Sequence, residues 1–363
     1  MRWKLFIIMA VMLTGSAFAD PFVPFQPDWS SQVKITGPAM DKPENKGKEF
    51  YSEWWAVIFR PKNGYYAYVR FMIYNLGPGD EKLKVNATFE TPDKTKYSVT
   101  RTFSRDDWKT GKGLAIDAEG NVLRYTGKAF VIKLKNKKFT ADLRLTPRFG
   151  PWKPGNGRIR YGKHSDYYAL DIPLPLGDLH GEFTTLKDGK KHKVSGIVYM
   201  DHQAMNSGMH NTTKNIYRFR QVDNKKMVFM ASLTPPKQFG DHQATCMAAF
   251  LPGDIIQAVG MQVHVKSWWN DPKEGGYTIP KILSFSGKTS DGKPLRGAIL
   301  MKKFSSRDDF LKGMNRVERF IVSKFAKPID YSFDAVMAVE VGTGQAKKTF
   351  KTKGTIFFTG VNH

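Results

Sequence analysis

Cysteine is almost missing from this 363-residue chain, in which Cys246 stands alone. One cysteine excludes an intramolecular disulfide and any zinc or iron–sulfur site built from several cysteines. The chain also lacks the Gly-x-Ser-x-Gly motif of serine hydrolases, a Walker loop and a dinucleotide-binding fingerprint, so nothing in it indicates those three classes of enzyme. Acidic residues are scarce, with 33 Asp+Glu against 57 Lys+Arg and a formal net charge of +24.

The remaining composition is that of a globular protein with a surplus of aromatic residues. Hydrophobic residues make up 41 % of the chain and aromatic residues 13 %, which excludes wholesale disorder, collagen and coiled coil. At roughly 150 residues per domain, the length favours two domains, each large enough to bury a core.

The first twenty residues have the pattern of an export signal. Arg2 and Lys4 give a basic start, residues 5–13 are apolar, and residues 17–19 form a small-x-small cleavage site. The apolar stretch is too short to cross a bilayer of roughly 30 Å. We therefore expect residues 1–19 to be a signal peptide that is cleaved after Ala19, and the mature protein to be periplasmic.

The positive charge bears on possible partners. Lysines are scattered through predicted strands and turns, often at every second position, so solvated strand faces account for most of them. An export signal argues against nucleic acid as a partner. An anionic membrane surface is the partner that the charge favours, with the turn Lys187–Lys193 as the docking region; the alternative is that the charge serves only solubility.

Strand patterns dominate from Phe50 onward, and they predict an all-β fold of two barrels. Residues 66–74 alternate between two faces, and a later strand is predicted over Ile255–Val265. Each half holds about eight to ten strands, the number that closes a small barrel with room for one ligand. The predicted divisions are an extended Pro-rich lead-in at 20–48, an N-terminal barrel at 49–205 and a C-terminal barrel at 206–363. One helix is predicted over Arg307–Met314, with Ser306 as its N-cap.

The first chemical cluster is the Glu-Trp-Trp sequence at 53–55. In a strand, Glu53 and Trp55 share one face and Trp54 takes the other. A carboxyl group kept protonated beside tryptophans in an apolar cavity is a candidate acid. The alternative is that the tryptophans plug the barrel floor and Glu53 pairs with an arginine from the next strand.

The second cluster follows an apolar run and includes Tyr199, Asp201, His202 and Gln203. Tyr199, Asp201 and Gln203 share a strand face, so Asp201 and His202 cannot both enter the lumen of a regular strand. Burying such polar groups is costly unless they are hydrogen-bonded. The cluster is either a proton donor with its orienting partner or a buried network that ties the two barrels together.

The two Asp-His-Gln sequences, 201–203 and 241–243, suggest a metal site as a hypothesis. His202 and His242, with Asp201 or Asp241, would be its ligands. The other histidines show no spacing that completes a compact ligand set. We expect no metal and no cofactor.

These two clusters carry a resemblance to a known family. Glu53-Trp54-Trp55 resembles the signature that opens the lipocalin-like AttH/CrtC superfamily, and residues 199–203, followed by Tyr-Arg-Phe-Arg at 217–220, resemble its junction motif. The likeness extends from about Glu49 to the C-terminus. The superfamily includes carotenoid hydratases, tocopherol-cyclase-like and Diels–Alderase-type isomerases, and yeast survival-factor proteins that handle ceramide. It implies two lipocalin-like (calycin) barrels in tandem, with a hydrophobic ligand site in one of them.

Two functions follow from the resemblance. The first is an exported protein that binds or carries a hydrophobic lipid or isoprenoid in a barrel cavity. The second is an acid-initiated hydratase, isomerase or cyclase acting on a polyene. The chain has Gln-Ala-Met-Asn at 203–206 where enzyme members have Trp-Gly. For an enzyme, Asp201 or Glu53 is the candidate acid, and His202 would orient that acid or deprotonate the product. Trp54 or Trp55, with Tyr199, would face a carbocation. The residues expected to contact the ligand are Trp54, Trp55, Tyr199, Gln203 and Asn206.

Overall fold

The computed structural model describes residues 21–361 except 31, 62–63, 76–80, 163–165, 241, 272–275, 310, 312–319, 321–322 and 324–325. The predicted signal peptide lies outside the described residues. Within them, antiparallel strands supply nearly all regular structure. Few residues are helical, and the α-helix α1 (Met209–Thr212) has four residues. The all-β prediction is confirmed.

The first sheet has thirteen strands. They are β1 (Phe22–Val23), β2 (Ser52–Pro61), β3 (Tyr66–Tyr74), β4 (Lys82–Glu90), β5 (Lys96–Phe103), β6 (Lys109–Thr110), β7 (Ala115–Ala118), β8 (Asn121–Tyr125), β9 (Phe130–Lys135), β10 (Phe139–Pro147), β11 (Arg158–Tyr161), β12 (Asp166–Thr185) and β13 (Lys191–Met205). Along the sheet, the main order is β5-β4-β3-β2-β13-β12-β10-β9-β8-β7-β6, with β11 joining β12 to β1.

The two ends of this sheet are consecutive along the chain. β5 ends at Phe103 and β6 begins at Lys109, although the two strands lie ten positions apart in the main order. Ten strand spacings would cover about 48 Å in a flat sheet, whereas the intervening chain reaches about 20 Å. The sheet must therefore curl into a barrel-like shape. An ion pair of 2.6 Å between Arg101 on β5 and Glu119, beside β8, fastens the two edges.

The second sheet has nine strands in the order β17-β16-β15-β14-β22-β21-β20-β19-β18. They are β14 (Asn215–Val222), β15 (Met227–Thr234), β16 (Ala244–Leu251), β17 (Asp254–Val259), β18 (Gln262–Asn270), β19 (Thr278–Lys288), β20 (Pro294–Asp309), β21 (Ile329–Val341) and β22 (Lys348–Gly360).

The second sheet curls for the same reason. Its edge strands β17 and β18 are separated by only Gly260 and Met261, a link that reaches about 11 Å, whereas eight strand spacings span about 38 Å. The sequence predicted one continuous strand over Ile255–Val265, and that prediction is wrong. Gly260 has a φ of +68°, a conformation that glycine adopts without steric cost and that ends the strand.

Each curled sheet has its own core, and a third core lies between them. The inner face of the first sheet buries Trp55, Phe59, Phe71 and other apolar side chains, and the second buries a comparable set. The third core joins side chains of β11 to β13 with side chains of β14 to β16, including Tyr199 and Phe229. The two barrels therefore pack through their outer faces.

The predicted helix at 307–314 is wrong where the structure describes it. Residues 306–309 continue β20 and pair with residues 329–332 of β21. The ladder hydrogen bonds of this long pair override the capping signal of Ser306. Met314 lies outside the described residues.

Among the described helical segments, none is both long and apolar enough to cross a membrane.

Candidate functional site

Strand β13 places the predicted site residues on two opposite faces. His202 pairs with Trp55 of β2 on one side and with Asp171 of β12 on the other. It shares the inner face of the first barrel with Glu53, whereas Asp201 and Gln203 point toward the second barrel. The prediction that Asp201 and His202 cannot share one lumen is confirmed.

Glu53 is the centre of the inner network and is fully buried. Its Oε1 accepts from His202 Nε2 at 2.7 Å, and its Oε2 accepts from the Tyr51 hydroxyl at 2.7 Å. The backbone N–H of Ala39 donates to both oxygens, at 3.0 and 2.8 Å. Because Ala39 belongs to the lead-in, this carboxylate fastens the lead-in to the first barrel. The expectation of an arginine partner for Glu53 is wrong, since the partner is a histidine on β13.

His202 lies between two carboxylates. Its Nδ1 contacts Asp171 Oδ2 at 3.0 Å while its Nε2 contacts Glu53, and the ring stacks on Trp55 with centroids 4.7 Å apart. Burial lowers the pKa of His202, but the charges and hydrogen bonds of Asp171 and Glu53 outweigh it and raise the pKa from 6.5 to about 10. The imidazolium form, which donates from both nitrogens, is therefore the form held at neutral pH.

The raised pKa of His202 predicts a pH dependence of stability. The folded pKa of about 10 exceeds the unfolded value of 6.5, so this contribution is complete below pH 6.5 and is lost as the pH rises toward 10. Across that window the free energy of unfolding should fall by about 1.4 kcal/mol per pH unit. Urea unfolding between pH 6 and 10 measures the slope, and His202→Gln should flatten it. An equal slope in both proteins would contradict the assignment.

The outer face of β13 carries a second network. Asp201 is fully buried, and its Oδ2 accepts from Arg220 of β14 at 2.6 Å. Its Oδ1 accepts from Gln203 Nε2 at 2.7 Å, and the Tyr168 hydroxyl donates to Gln203 Oε1 at 2.8 Å. Arg220 also lies 5.7 Å from the ring of Tyr199. This network links the two barrels through a buried ion pair.

Three arginines gather around Tyr68 where the barrels face each other. Burial and the charge of Asp201 raise the pKa of the Tyr68 hydroxyl, whereas the charges of Arg70, Arg220 and Arg218 lower it. All four charged groups therefore act on this hydroxyl. We call Arg70, Arg218 and Arg220 the arginine cluster. The Nε atoms of all three are buried and have no hydrogen-bond acceptor among the described residues.

The remaining predicted ligand residues separate into different environments. Trp54 packs against the core between the barrels, whereas Trp55 belongs to the core of the first barrel. Asn206 is buried and its Oδ1 accepts from the backbone N–H of Tyr167 at 2.8 Å. Trp54, Tyr199 and Gln203 thus share the face between the barrels, while Glu53, Trp55 and His202 share the inner face.

A cavity of about 330 Å³ opens beside the lead-in, and it involves none of the predicted residues. Its walls include Trp29, Val33 and Trp152. Trp152 donates from Nε1 to Gln257 of β17 at 2.8 Å. The cavity therefore bridges the lead-in and both sheets.

The metal hypothesis used residues that the structure separates. His242 stacks on Phe22 at 5.8 Å, and Asp241 lies outside the described residues. Among the residues that are described, no three or more His, Cys, Asp and Glu side chains form a group that could hold a metal ion. Glu53, His202 and Asp171 form a hydrogen-bonded chain, in which the imidazole nitrogens point to different carboxylates.

Sequence reasoning missed Asp171, Tyr51 and the arginine cluster. A signal for Asp171 was available, because it is the one charged residue in the otherwise uncharged stretch 167–176. Arg218 and Arg220 alternate with aromatic residues on a strand that enters the core, which also marks polar groups that need partners.

Two curled antiparallel sheets that pack through their outer faces define a tandem lipocalin-like protein. A scan against protein families finds no match, and neither does a search of curated proteins. Solved structures do match. A protein of Nitrosomonas europaea assigned as AttH aligns with a TM-score of 0.56 at 13 % identity, over 93 % of this chain and 99 % of that one.

Two further solved structures show the same architecture. Kievitone hydratase from Nectria haematococca aligns with a TM-score of 0.51 at 14 % identity, over 93 % of this chain and 98 % of that one. CghA with Sch210972 aligns with a TM-score of 0.52 at 10 % identity, over 93 % and 94 %. The chain therefore has the tandem lipocalin-like fold that these solved structures share, as its motifs predicted.

Proposed function

We propose that this protein binds a lipid-like or isoprenoid ligand and carries it in the periplasm after export. The observation that carries the proposal is the arginine cluster, whose three buried Nε–H groups have no acceptor among the described residues. A buried donor without a partner costs roughly 1–3 kcal/mol. A ligand that brings acceptor oxygens to this place is therefore favoured.

Charge and shape indicate what kind of ligand fits. The cluster carries three positive charges, against the Asp201 carboxylate at 2.6 Å from Arg220 and the Asp330 carboxylate at 3.8 Å from Arg218. Water can fill an acceptor position, but an excess of positive charge favours an anionic oxygen. Tyr66, which is 40 % exposed, and Tyr68, which is partly buried, lie on the same strand face as Arg70 and offer ring surface. The proposed ligand is an apolar molecule with an acidic end, held between the barrels.

The hydrogen bonding of the two candidate acids supports binding over catalysis. Glu53 accepts from three donor groups and Asp201 accepts from Arg220 and Gln203. A group that protonates an alkene must carry a proton, whereas both carboxyl groups act here as acceptors. The fold shared with kievitone hydratase keeps acid-initiated hydration or isomerisation of a polyene as the second candidate function.

Ligand binding is tested with protein purified from the periplasmic fraction, where the mature chain should begin at Asp20. Native mass spectrometry and lipid extraction should reveal a co-purifying apolar acid. For delipidated protein, a long-chain fatty acid, a prenyl diphosphate and a neutral carotenoid form the test panel. An acidic ligand should raise the melting temperature, because a ligand bound only by the folded form stabilises it. Arg70→Gln should weaken the binding of that ligand by about 10- to 100-fold, because it removes a charge-assisted hydrogen bond.

Arg144→Gln is the matched control, since Arg144 is exposed on β10 and the charge change is the same. It should leave binding unchanged. Because Arg70 Nε has no acceptor, Arg70→Gln should not destabilise the empty protein. A protein that co-purifies with no lipid and gains no stability from the panel would refute the proposal, and product formed from a polyene would favour the second candidate.

A further inference from the structure

Large aromatic side chains are exposed at one end of the second barrel. Trp268 and Trp269 lie at the end of β18 and are 54 % and 39 % exposed, and Phe304, near the end of β20, is 46 % exposed. Because β18 and β20 run in the same direction across the sheet, their final residues lie at the same end. We call Trp268, Trp269 and Phe304 the aromatic rim.

The rim is held in place by packed and hydrogen-bonded neighbours. Trp269 and Phe304 both contact Phe333, with ring centroids 6.1 and 5.6 Å apart. Behind them, Asp271 Oδ2 accepts from Arg307 at 2.8 Å and from the Tyr331 hydroxyl at 2.7 Å. Trp269 and Phe304 are therefore held in place by packing at this end of the barrel.

Charges around the rim are mainly positive. Near this end of strands β18 to β21 there are four exposed lysines and two exposed aspartates, Asp308 and Asp334. The lysines are Lys266, Lys281, Lys302 and Lys303. Exposed tryptophan beside lysine is the composition of protein surfaces that lie in the headgroup region of a bilayer, and anionic lipids attract such lysines.

We propose that the aromatic rim docks the protein on an anionic lipid bilayer, with its rings among the headgroups and the lysines on the phosphates. The inference extends the proposed function by naming the surface from which a carrier would exchange its ligand. It also replaces the turn Lys187–Lys193 as the docking region. That turn has positive charge, but among the described residues it adjoins only one exposed large apolar side chain, Leu186 at 49 %.

The test is co-sedimentation of the full mature protein with vesicles of phosphatidylglycerol and phosphatidylethanolamine, and with vesicles of phosphatidylcholine. Wild-type protein should bind the anionic vesicles at 0.1 M salt and the neutral vesicles weakly. Trp268→Ser should weaken binding about tenfold or more, because the lost burial of one large ring is worth at least that factor. Trp268 is the most exposed of the three rings, so circular dichroism and melting temperature should be unchanged.

Leu186→Ser is the matched control, because Leu186 is as exposed as the rim and adjoins the other lysine-rich region. It should bind within twofold of wild type. The inference is overturned if Leu186→Ser loses binding as strongly as Trp268→Ser, if wild type binds neither vesicle, or if it binds both equally. It is also overturned if ultracentrifugation shows self-association that Trp268→Ser abolishes without vesicle binding. Lipid extraction of the same preparations reports on the bound ligand independently.

Discussion

Replacing Glu53 with Gln is expected to lower the free energy of unfolding by about 3–5 kcal/mol, the usual cost of removing one partner from a buried ion pair. The change leaves the His202 imidazolium with one carboxylate instead of two and offers only one acceptor oxygen to the donors of Ala39 and Tyr51. Urea unfolding at pH 7 measures the loss.

Glu119→Gln provides the comparison for Glu53→Gln. Glu119 also forms an ion pair, at 2.6 Å from Arg101, but its side chain is 55 % exposed. Solvent screens such a pair, so the change should cost about 0.5 kcal/mol or less. If Glu53→Gln and Glu119→Gln had similar small effects, the buried chain from Glu53 to Asp171 would contribute little to the fold.

The sensitivity of Glu53 follows from its position between segments that are distant in sequence. It contacts Ala39 in the lead-in and His202 on β13, which pairs directly with β2. Loss of the carboxylate should therefore loosen the lead-in as well as the barrel. Limited proteolysis of the native proteins measures this loosening. A protease should cleave Glu53→Gln within residues 20–48 at a rate well above that of wild type.

The positions of many strands, and the face that each side chain takes, could be predicted from the sequence because side chains in a strand alternate with a period of two. The strand over Tyr66–Tyr74 appears with the predicted bounds, and the separation of Asp201 from His202 follows from the same rule. The wrong predictions lie where a local sequence signal competes with the hydrogen bonds between neighbouring strands. Ser306 looks like a helix cap, yet pairing with β21 holds it in a strand, and Gly260 divides what reads as one run.

The partners of the site residues could not be predicted from spacing. Glu53 and His202 are 149 residues apart, and Asp201 reaches Arg220 only because β14 packs against β13 across the junction of the two sheets. A single sequence shows which polar groups are placed in apolar strands and therefore need partners. It does not show which strands become neighbours, so the histidine partner of Glu53 and the arginine partner of Asp201 emerged only from the fold.

The second large effect on the free energy of unfolding is expected at the buried ion pair between Asp201 and Arg220. Asp201→Asn should destabilise the protein by about 3–5 kcal/mol, because it leaves the Arg220 guanidinium buried without a carboxylate. Arg220→Gln should cost a similar amount for the converse reason. The double variant should cost clearly less than the sum of the two, since neither charge is then left alone, and the double-mutant cycle should give a coupling of at least about 1.5 kcal/mol.

The same cycle at Arg296 and Glu340, an ion pair of 2.5 Å on the surface of the second barrel, should give less than about 1 kcal/mol, because the Arg296 side chain is 73 % exposed and solvent screens the pair. The contrast separates the two roles that Asp201 can have. If Asp201 mainly ties the barrels together, Asp201→Asn lowers the melting temperature and releases the co-purified ligand. If Asp201 is instead a proton donor to a polyene, Asp201→Asn keeps stability and ligand and abolishes turnover alone. The contacts with Arg220 and Gln203 favour the first result, because both oxygens of the Asp201 carboxyl group accept hydrogen bonds and one of these comes from a guanidinium across the interface.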